Sequence, residues 1–325
     1  ARYNGPDNFY DRATAIVVDS SGNILVTGTS WDRISYYDYA TVKYDSRGNQ
    51  LWVARYSGPG NADDLPIALV LDSSGNVYVT GITAAGGGLY PDYATIKYDT
   101  NGNELWRRTY NSLGNGDDRA YAIAVDSPGN VYVTGWSQGE FATIKYDSNG
   151  TELWVVRYGD FFGAYGANDI VVDQSGNVYV TGGLFIDSRD YLDYVTIKYD
   201  SAGNIIWMKN YNGPGNVDDI AKSIVVDTVG NIYVTGSSYG LMTTEDYATI
   251  KYDTDGNQSW VARYNGPASG RDIPFAMVSD SSGNVYVTGW SNGVWTPYDY
   301  ATVKYDSDGN ELWVARYNGP ANGDD

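Results

Sequence analysis

The stretch DSDGNELWVARYNGP, residues 306–320, is one of six closely related copies in the 325-residue sequence, and it decides the fold. A tryptophan marks the same position of each copy: Trp52, Trp106, Trp154, Trp207, Trp260 and Trp313. Successive tryptophans are 54, 48, 53, 53 and 53 residues apart. A period of this length predicts a supersecondary unit that is repeated and that buries its faces against its neighbours.

Each copy predicts four short β-strands, which we name A to D in chain order. In the second copy, residues 67–71 and 77–81 are β-prone runs joined by DSSGN, and residues 92–99 lead through a second hairpin, DTNGN, into residues 104–106. An Asp that bonds to nearby N–H groups and a left-handed Gly favour tight hairpins at both connections. The pattern predicts an all-β fold, a β-propeller of six four-stranded antiparallel blades. A β-solenoid competes, but shorter coils without paired hairpins are typical of it.

Two units of the repeat, DSSGNVYVTG at residues 72–81 and DYATIKYD at residues 92–99, resemble a known family. They are similar to the bacterial SBBP repeats, named for a seven-bladed β-propeller, and the resemblance covers essentially the whole chain. It implies a secreted or surface protein and no settled activity. The family name implies seven blades, whereas six copies are present, so a seven-bladed propeller or a longer repeat array stays an alternative.

The repeat boundaries predict a single propeller domain over residues 1–325. The copies are expected at about 1–53, 54–107, 108–155, 156–208, 209–261 and 262–314, and residues 315–325 duplicate residues 1–11. A closed ring of six blades has one place for this duplicated segment. Either the carboxyl end completes the last blade and the first eleven residues are spare, or the reverse. A fragment of a longer repetitive protein would explain the spare segment, and so would pairing with a neighbouring subunit.

Composition limits the partners. The formal net charge is −19, which repels nucleic acid and anionic lipid and favours cations and neutral ligands. Cysteine and histidine are both absent, which removes disulfides, thiolate metal sites and the commonest general base. No apolar run is long enough to span a membrane, and we expect that any secretion signal has been removed or was never included. We expect an extracellular or cell-surface protein whose partners are copies of itself, other surface components or polysaccharide.

The B–C loops vary between copies, whereas the A–B and C–D hairpins on the opposite face are nearly identical. The variable loops combine aromatic residues with Asp and Asn, the side chains that stack on sugar rings and bind hydroxyl groups. Loops on a rigid scaffold are where binding usually resides, although the same rings could merely cover blade edges. The expected ligand-binding residues are Trp31, Tyr37, Tyr90, Trp136, Tyr239, Trp290 and Trp295.

Two columns of charged residues recur. An aspartate precedes strand A in five copies: Asp11, Asp64, Asp118, Asp219 and Asp272. Their carboxylates could bind calcium, and no other cofactor is expected. Alternatively, each carboxylate could pair with a strand-D arginine such as Arg55 or Arg263. A lysine recurs in strand C, as at Lys43, and is expected to form an ion pair with the Asp two residues later.

Three classes of function follow from these patterns. A non-enzymatic structural or adhesive surface protein, able to form filaments through its duplicated terminal strand, is the first. A lectin-like module that uses the aromatic loops is the alternative. A glycoside-active enzyme is the third, because paired carboxylates need no histidine, and Glu140 and Glu245 are the glutamates that break the repeat. No catalytic pair is predicted, because no spacing singles one out.

Overall fold

The computed structural model describes residues 1–60, 62–84, 90–159, 164–186, 191–295 and 298–320, where all the regular structure is β-strand. Twenty-four strands form six four-stranded antiparallel sheets, each made of four consecutive strands. We call these sheets blades 1 to 6. The chain divides into two compact units, Ala1–Tyr158 with blades 1 to 3 and Gly159–Asp325 with blades 4 to 6. Within the described residues, no helix is long and apolar enough to cross a membrane.

All of the strands span seven to nine residues, and each blade contains one strand of each type, A to D. The first unit contains β1 Asp11–Val18, β2 Ile24–Asp32, β3 Tyr36–Tyr44, β4 Gln50–Tyr56, β5 Leu65–Leu71, β6 Val77–Ala84, β7 Pro91–Tyr98, β8 Glu104–Tyr110, β9 Asp118–Val125, β10 Val131–Ser137, β11 Glu140–Tyr146 and β12 Glu152–Tyr158. The second unit contains β13 Ala164–Val172, β14 Val178–Phe185, β15 Leu192–Tyr199, β16 Ile205–Tyr211, β17 Asp219–Val226, β18 Ile232–Tyr239, β19 Glu245–Tyr252, β20 Gln258–Tyr264, β21 Asp272–Ser279, β22 Val285–Ser291, β23 Asp299–Tyr305 and β24 Glu311–Tyr317.

The A–B and C–D connections are the tight hairpins that the sequence predicts. After β1, the Asp19 Oδ1 atom accepts hydrogen bonds from the backbone N–H groups of Ser21 and Asn23 at 2.9 and 2.8 Å. Gly22 has φ of 78°, in the left-handed region that favours glycine. The glycines of all twelve hairpins have φ between 76° and 90°. The local chemistry of Asp and Gly therefore fixes every turn on this face.

Strand A of each blade contains a β-bulge, where its register against strand B shifts by one residue. The bulged residue differs from blade to blade, although the residues around it repeat. These positions are Thr14, Ile67, Tyr121, Asn168, Lys222 and Phe275. Since bulges turn a side chain away from the regular pleat, they are places where a uniform scaffold can present different groups.

Within each unit, successive blades pack face to face, and the tyrosine of the DYAT motif is the centre of the contact. We call the face toward the next blade in the chain the forward face, and the opposite one the backward face. Tyr39, on the forward face of blade 1, is fully buried against Val79 and Ile96 of blade 2. In blade 5, the equivalent Tyr247 donates a hydrogen bond to the carbonyl of Ala301 at 3.4 Å. At each of these contacts one tyrosine thus fills a hole in the next blade: Tyr39, Tyr93, Tyr194 and Tyr247.

Residues 1–10 lie outside the strands, and the outer strand of blade 6 is β24, near the carboxyl end. Of the two alternatives for the duplicated segment, the structure has the carboxyl end completing the last blade. The amino-terminal segment is held against blade 1, because the backbone N–H of Gly5 donates to Asp11 at 2.8 Å and Arg55 donates to the Tyr3 hydroxyl at 3.2 Å. Residues 321–325, the last part of the duplication, lie outside the described residues.

Candidate ligand-binding face

The aspartates before strand A close the D–A loops. Each carboxylate accepts a hydrogen bond from the backbone N–H six residues earlier, at 2.5 to 2.8 Å. The pairs are Gly5–Asp11, Gly58–Asp64, Ser112–Asp118, Gly213–Asp219 and Gly266–Asp272. Asp64 also accepts from the hydroxyl and backbone of residues at the end of strand B, Thr83 and Ala84. All five aspartates therefore close the segment before strand A, and Asp64 also ties it to the end of strand B.

Burial determines the ionisation of these carboxyl groups. It raises the pKa of Asp219 to about 6, although hydrogen bonds from Ser238 and Gly213 partly offset it. Burial likewise raises the pKa of Asp64 and of Asp272. Among the residues that the structure describes, no three acidic side chains approach closely enough to hold one metal ion. In that part of the chain the aspartates before strand A are therefore not gathered into one group, and calcium binding by them stays a prediction.

The strand-D arginines bind a different aspartate from the one expected. The Arg263 Nη2 atom lies 2.9 Å from Asp246, at the start of strand C, and Nη1 donates to the Tyr211 hydroxyl of the preceding blade at 3.0 Å. Arg316 and Arg55 repeat this arrangement with Asp299 and Asp38. The pairing of these arginines with the aspartates before strand A is therefore wrong. Arg263 and Arg316 thus join strands C and D of one blade to the outer strand of the blade before it, and Arg55 makes the equivalent bond to Tyr3.

The expected partner of the strand-C lysines is also wrong. The Lys43 Nζ atom lies 3.0 Å from Asp19 in the A–B hairpin, not beside the Asp two residues later. In blade 4, Lys198 Nζ donates to the Thr254 carbonyl of blade 5 at 3.0 Å, and Trp207 Nε1 donates to the same carbonyl at 3.2 Å. Lysine and tryptophan together tie one blade to the next C–D hairpin, which explains why both residues recur.

In the first unit, the face of the D–A loops contains a cavity of about 640 Å³ between blades 1 and 2. Two tyrosines, Tyr10 and Tyr37, line it together with Arg12 and Asp63. The bulged Thr14 lies in the wall and donates to the Pro66 carbonyl at 3.0 Å. Beside this region, the rings of Phe9 and Trp31 are 4.3 Å apart. The cavity combines aromatic surface with groups that bind hydroxyls, a composition that suits a neutral polar ligand.

In the second unit, the same face of blades 5 and 6 contains an aromatic cluster. The Trp290 ring packs against Tyr298 at 4.2 Å and against the bulged Phe275 at 6.1 Å. The Arg271 guanidinium lies 5.7 Å from the Trp290 ring centre and binds both carboxylate oxygens of Glu245. The hydrogen bond to Glu245 raises the pKa of Arg271. The side chain of Arg271 is thus held over an aromatic surface.

The bulged Lys222 adds a cation near this cluster. Burial lowers its pKa, and the negative charge of Glu245 partly offsets that effect. Burial also raises the pKa of the Tyr239 hydroxyl, and Glu245 adds to it. Glu245 therefore interacts with groups from two strands, β17 and β18, and from the loop before β21. Its carboxylate bonds directly to Arg271, and its charge acts on Lys222.

The expected ligand-binding residues divide into two groups. Trp31, Tyr37, Trp136, Tyr239 and Trp290 lie on the ends of strands B and C, because the strands extend further than expected. Tyr90 and Trp295 lie in loops and are 52% and 93% exposed. The structure brings Tyr37 into the cavity of the first unit and Trp290 into the cluster of the second. Parts of the B–C loops of blades 2, 4 and 6 lie outside the described residues.

The two glutamates considered for catalysis are both ion-paired. Glu140 binds Arg157 of strand D in its own blade, and Glu245 binds Arg271. Each carboxylate thus has a cationic partner in the fold, and a catalytic role for either glutamate stays a prediction.

Comparison with known proteins agrees with this architecture. The family described as SBBP, a β-propeller repeat, matches residues 109–142, 206–241 and 260–294. The chain contains SBBP β-propeller repeats. A stretch of 150 residues is 30% identical to an uncharacterized WD repeat-containing protein, L264, of Acanthamoeba polyphaga mimivirus. That match covers 41% of this chain and 10% of the relative, so the chain spans about a tenth of the relative's length.

Solved structures show the same fold. Virginiamycin B lyase from Staphylococcus aureus is 12% identical with a TM-score of 0.56, over 94% of this chain and 83% of the lyase. A protein from Lactobacillus plantarum is 13% identical with a TM-score of 0.61, over 94% of this chain and 84% of the other. At this identity the likeness is one of fold alone. Together with the six sheets, it shows an all-β propeller with four-stranded antiparallel blades.

Sequence reasoning missed the bulged residues of the SBBP repeats. Three of them lie at the candidate sites: Lys222, Phe275 and Thr14. None was among the ligand-binding residues expected from the sequence. Their signal was visible in the sequence, because the third residue after the aspartate that precedes strand A differs in all five copies that contain this aspartate. In an SBBP repeat, such a variable position inside a uniform strand indicates a side chain that the scaffold does not require.

Proposed function

We propose that this chain is a non-enzymatic structural or adhesive protein of the cell surface that associates with copies of itself. The observation that best supports this is the contrast between internal and terminal blades. Tyr247 of blade 5 is fully buried against the next blade, whereas the equivalent Tyr300 of blade 6 is 56% exposed. An exposed face that has the composition of an interface is a typical site of protein association.

Two further features support a structural role. The recurring charged side chains bond within the fold, as Asp173 does to its hairpin and Lys251 to the next blade. The chain also combines a net charge of −19 with the absence of cysteine, which fits a solvated extracellular setting. The resemblance to surface proteins of the SBBP type points in the same direction.

Sedimentation velocity of the intact chain over a wide concentration range tests the association. We expect the mean sedimentation coefficient to rise with concentration, and electron microscopy to show chains of particles. Antibody labelling of intact cells of the source organism tests the location. A single monomeric species at every concentration would contradict self-association, and labelling only after cell lysis would contradict the surface location.

A second candidate function is carbohydrate binding, and the cavity of the first unit favours it. Tyr10 and Tyr37 offer ring surface beside Arg12 and Asp63, as sugar recognition requires. The cluster around Trp290 offers a similar combination in the second unit. Neutral polysaccharide also suits the acidic surface better than an anionic polymer does.

A panel of neutral polysaccharides tests this candidate with Tyr37→Ala, Trp290→Ala and the matched control Trp207→Phe, whose ring faces a C–D hairpin. We expect truncation of a stacking ring to weaken binding about tenfold to a hundredfold, while the control binds like the intact chain. Equal binding by all variants, or binding to no polysaccharide, would remove the candidate.

A further inference from the structure

The forward face of blade 6 keeps the side chains that internal blades bury. Tyr300 and Tyr317 are 56% and 57% exposed, whereas their counterparts in blade 5, Tyr247 and Tyr264, are almost fully buried. Trp313 is 42% exposed, and its counterparts donate to a hairpin carbonyl of the following blade. The residues of this face are those that contact the next blade elsewhere in the chain. The surface that fits them is therefore the backward face of another SBBP blade.

The backward face of blade 1 contains a cavity of about 320 Å³ at the position where internal blades receive a tyrosine. Its wall includes Gly28, Ala40 and Val42. The same positions in blade 2 are Gly81, Ala94 and Ile96, which pack against the DYAT tyrosine of blade 1. A Cβ atom at Gly81 would lie 2.8 Å from the hydroxyl oxygen of Tyr39. At Gly28 the nearest atoms are those of its own blade, from Arg12 and Ala13.

The amino-terminal segment occupies the edge of this cavity. Arg55 donates to Tyr3 as Arg263 donates to Tyr211 and Arg316 to Tyr264, so Tyr3 takes the place of a strand-D tyrosine. Ala1 lies near Gly48, at the position where internal hairpin glycines contact a tryptophan ring. Residues 1–5 therefore imitate the outer strand of a preceding blade but leave the hole for its DYAT tyrosine open.

We propose that the cavity of blade 1 receives Tyr300 from blade 6 of a second copy, so that copies associate head to tail. This rests on the self-association proposed above and assigns its surface. In the contact, Tyr300 fills the space between Gly28 and Ala40. Within one chain, Tyr247 of blade 5 fills the equivalent space in blade 6. Trp313 and Lys304 donate to the Ser46 carbonyl, as Trp260 and Lys251 donate to that of Ser307.

Two consequences follow from this geometry. Tyr317 of the incoming copy takes the place of Tyr3 on Arg55, so residues 1–5 compete with the second copy for the same arginine. The contact joins two different surfaces, so it builds open chains unless the rotation closes a ring. Because each copy is strongly acidic, added salt screens the repulsion and strengthens association that is based on apolar contact.

Sedimentation velocity tests the proposal with the intact chain, Tyr300→Ala, Ala40→Leu and a chain lacking residues 1–5, and thermal melting checks the folding of each. Loss of a buried aromatic anchor should weaken association about 30-fold or more in Tyr300→Ala. Ala40→Leu, which fills the cavity from the other side, should have the same effect. Removal of residues 1–5 should strengthen association, because it frees Arg55. Tyr90→Ala, an exposed tyrosine in the B–C loop of the internal blade 2, serves as the matched control.

Cysteine variants distinguish contact between copies from contact within one chain, since the natural sequence contains no cysteine. Lys304→Cys and Ser46→Cys chains, mixed and treated with a short bismaleimide, should give a cross-linked heterodimer. Cross-linking within single chains of the double variant, without dimers, would overturn the proposal.

The sedimentation results separate this proposal from the function on which it rests. If the intact chain associates and Tyr300→Ala associates equally, the assigned surface is wrong while self-association stands. If removal of residues 1–5 abolishes association, exchange of the terminal strand is the mechanism instead. If the intact chain stays monomeric at all concentrations and salt levels, both proposals are wrong.

Discussion

Asp169 should make the stability of the second unit fall as the pH rises. It lies in strand A of blade 4 and reaches blade 5, where its Oδ2 atom accepts the Ile224 N–H at 2.9 Å, while Oδ1 accepts the Ile170 N–H at 2.8 Å. Burial raises its pKa from the ordinary 3.8 to about 6, although these hydrogen bonds partly offset the effect. The folded state thus binds this proton more tightly than the unfolded chain. The resulting stabilisation is complete below pH 3.8 and is lost as the pH rises through about 6.

The size of the effect follows from the two pKa values of Asp169. At 1.36 kcal/mol per pKa unit, the difference between 3.8 and about 6 corresponds to about 3 kcal/mol of unfolding free energy. Asp169→Asn abolishes this titration and adds a constant cost, because the amide N–H₂ cannot accept the bond that an oxygen accepts. The advantage of the natural chain over the variant should therefore shrink by about 3 kcal/mol between about pH 3.5 and about pH 7.5.

Urea unfolding followed by tryptophan fluorescence at a series of pH values measures this difference. Comparing the two chains at each pH cancels the other titrating groups, which are common to both. Asp200→Asn is the matched control in the same unit, because hydrogen bonds within its hairpin, those from Asn204 first, lower the pKa of Asp200. The difference between the natural chain and Asp200→Asn should stay constant above about pH 4 and shrink only below it. A constant difference between the natural chain and Asp169→Asn across the pH series would refute the reasoning.

Two further predictions concern contacts that every repeat contains. Trp207→Phe should lower the unfolding free energy by about 1 kcal/mol, because it removes the hydrogen bond to the Thr254 carbonyl. Trp313→Phe should change the unfolding free energy of the monomer by less than about 0.5 kcal/mol. Equal losses in urea unfolding would contradict this. Asp173→Ala should lower the unfolding free energy by about 2 to 3 kcal/mol, since the carboxylate accepts hydrogen bonds from Ser175, Asn177 and the Tyr179 hydroxyl. Tyr179→Phe removes one of these bonds and should lower the unfolding free energy by only about 1 kcal/mol. A larger loss in Tyr179→Phe than in Asp173→Ala, measured by thermal melting at neutral pH, would show that the hairpin is not held by the carboxylate.

The strands and hairpins were predictable because their causes are local. In the hairpin after β1, Asp19 and Gly22 are three residues apart, and their chemistry allows few alternatives to a tight turn. The blade number and strand order follow from repeating this unit along the chain. The length of strand B was underestimated, since residues such as Trp31 and Tyr239 extend the ladder beyond the β-prone core of the motif.

The partners of the charged residues were not predictable, because they depend on contacts across blades. Lys198 reaches a carbonyl 56 residues away, and nothing in the neighbourhood of Lys198 along the chain indicates that distance. The expected pair, two residues apart on one strand, was the only contact that local reasoning could supply. The same limit applies to Arg263, whose tyrosine partner lies 52 residues earlier, in the preceding blade.

Repetition also explains why the terminal blades are informative. Tyr247 and Tyr300 occupy the same DYAT motif, so sequence alone assigns them the same role, yet one is buried and the other is 56% exposed. Each copy of the repeat encodes both halves of a blade interface, and the internal copies show how the halves fit. A terminal blade therefore presents a surface whose partner is specified by the chain itself: a glycine and an alanine for Tyr300, and a hairpin carbonyl for Trp313 and Lys304. Specificity for another copy of the same repeat is thus a consequence of the repeat, because any sheet with that backward face offers the same hole.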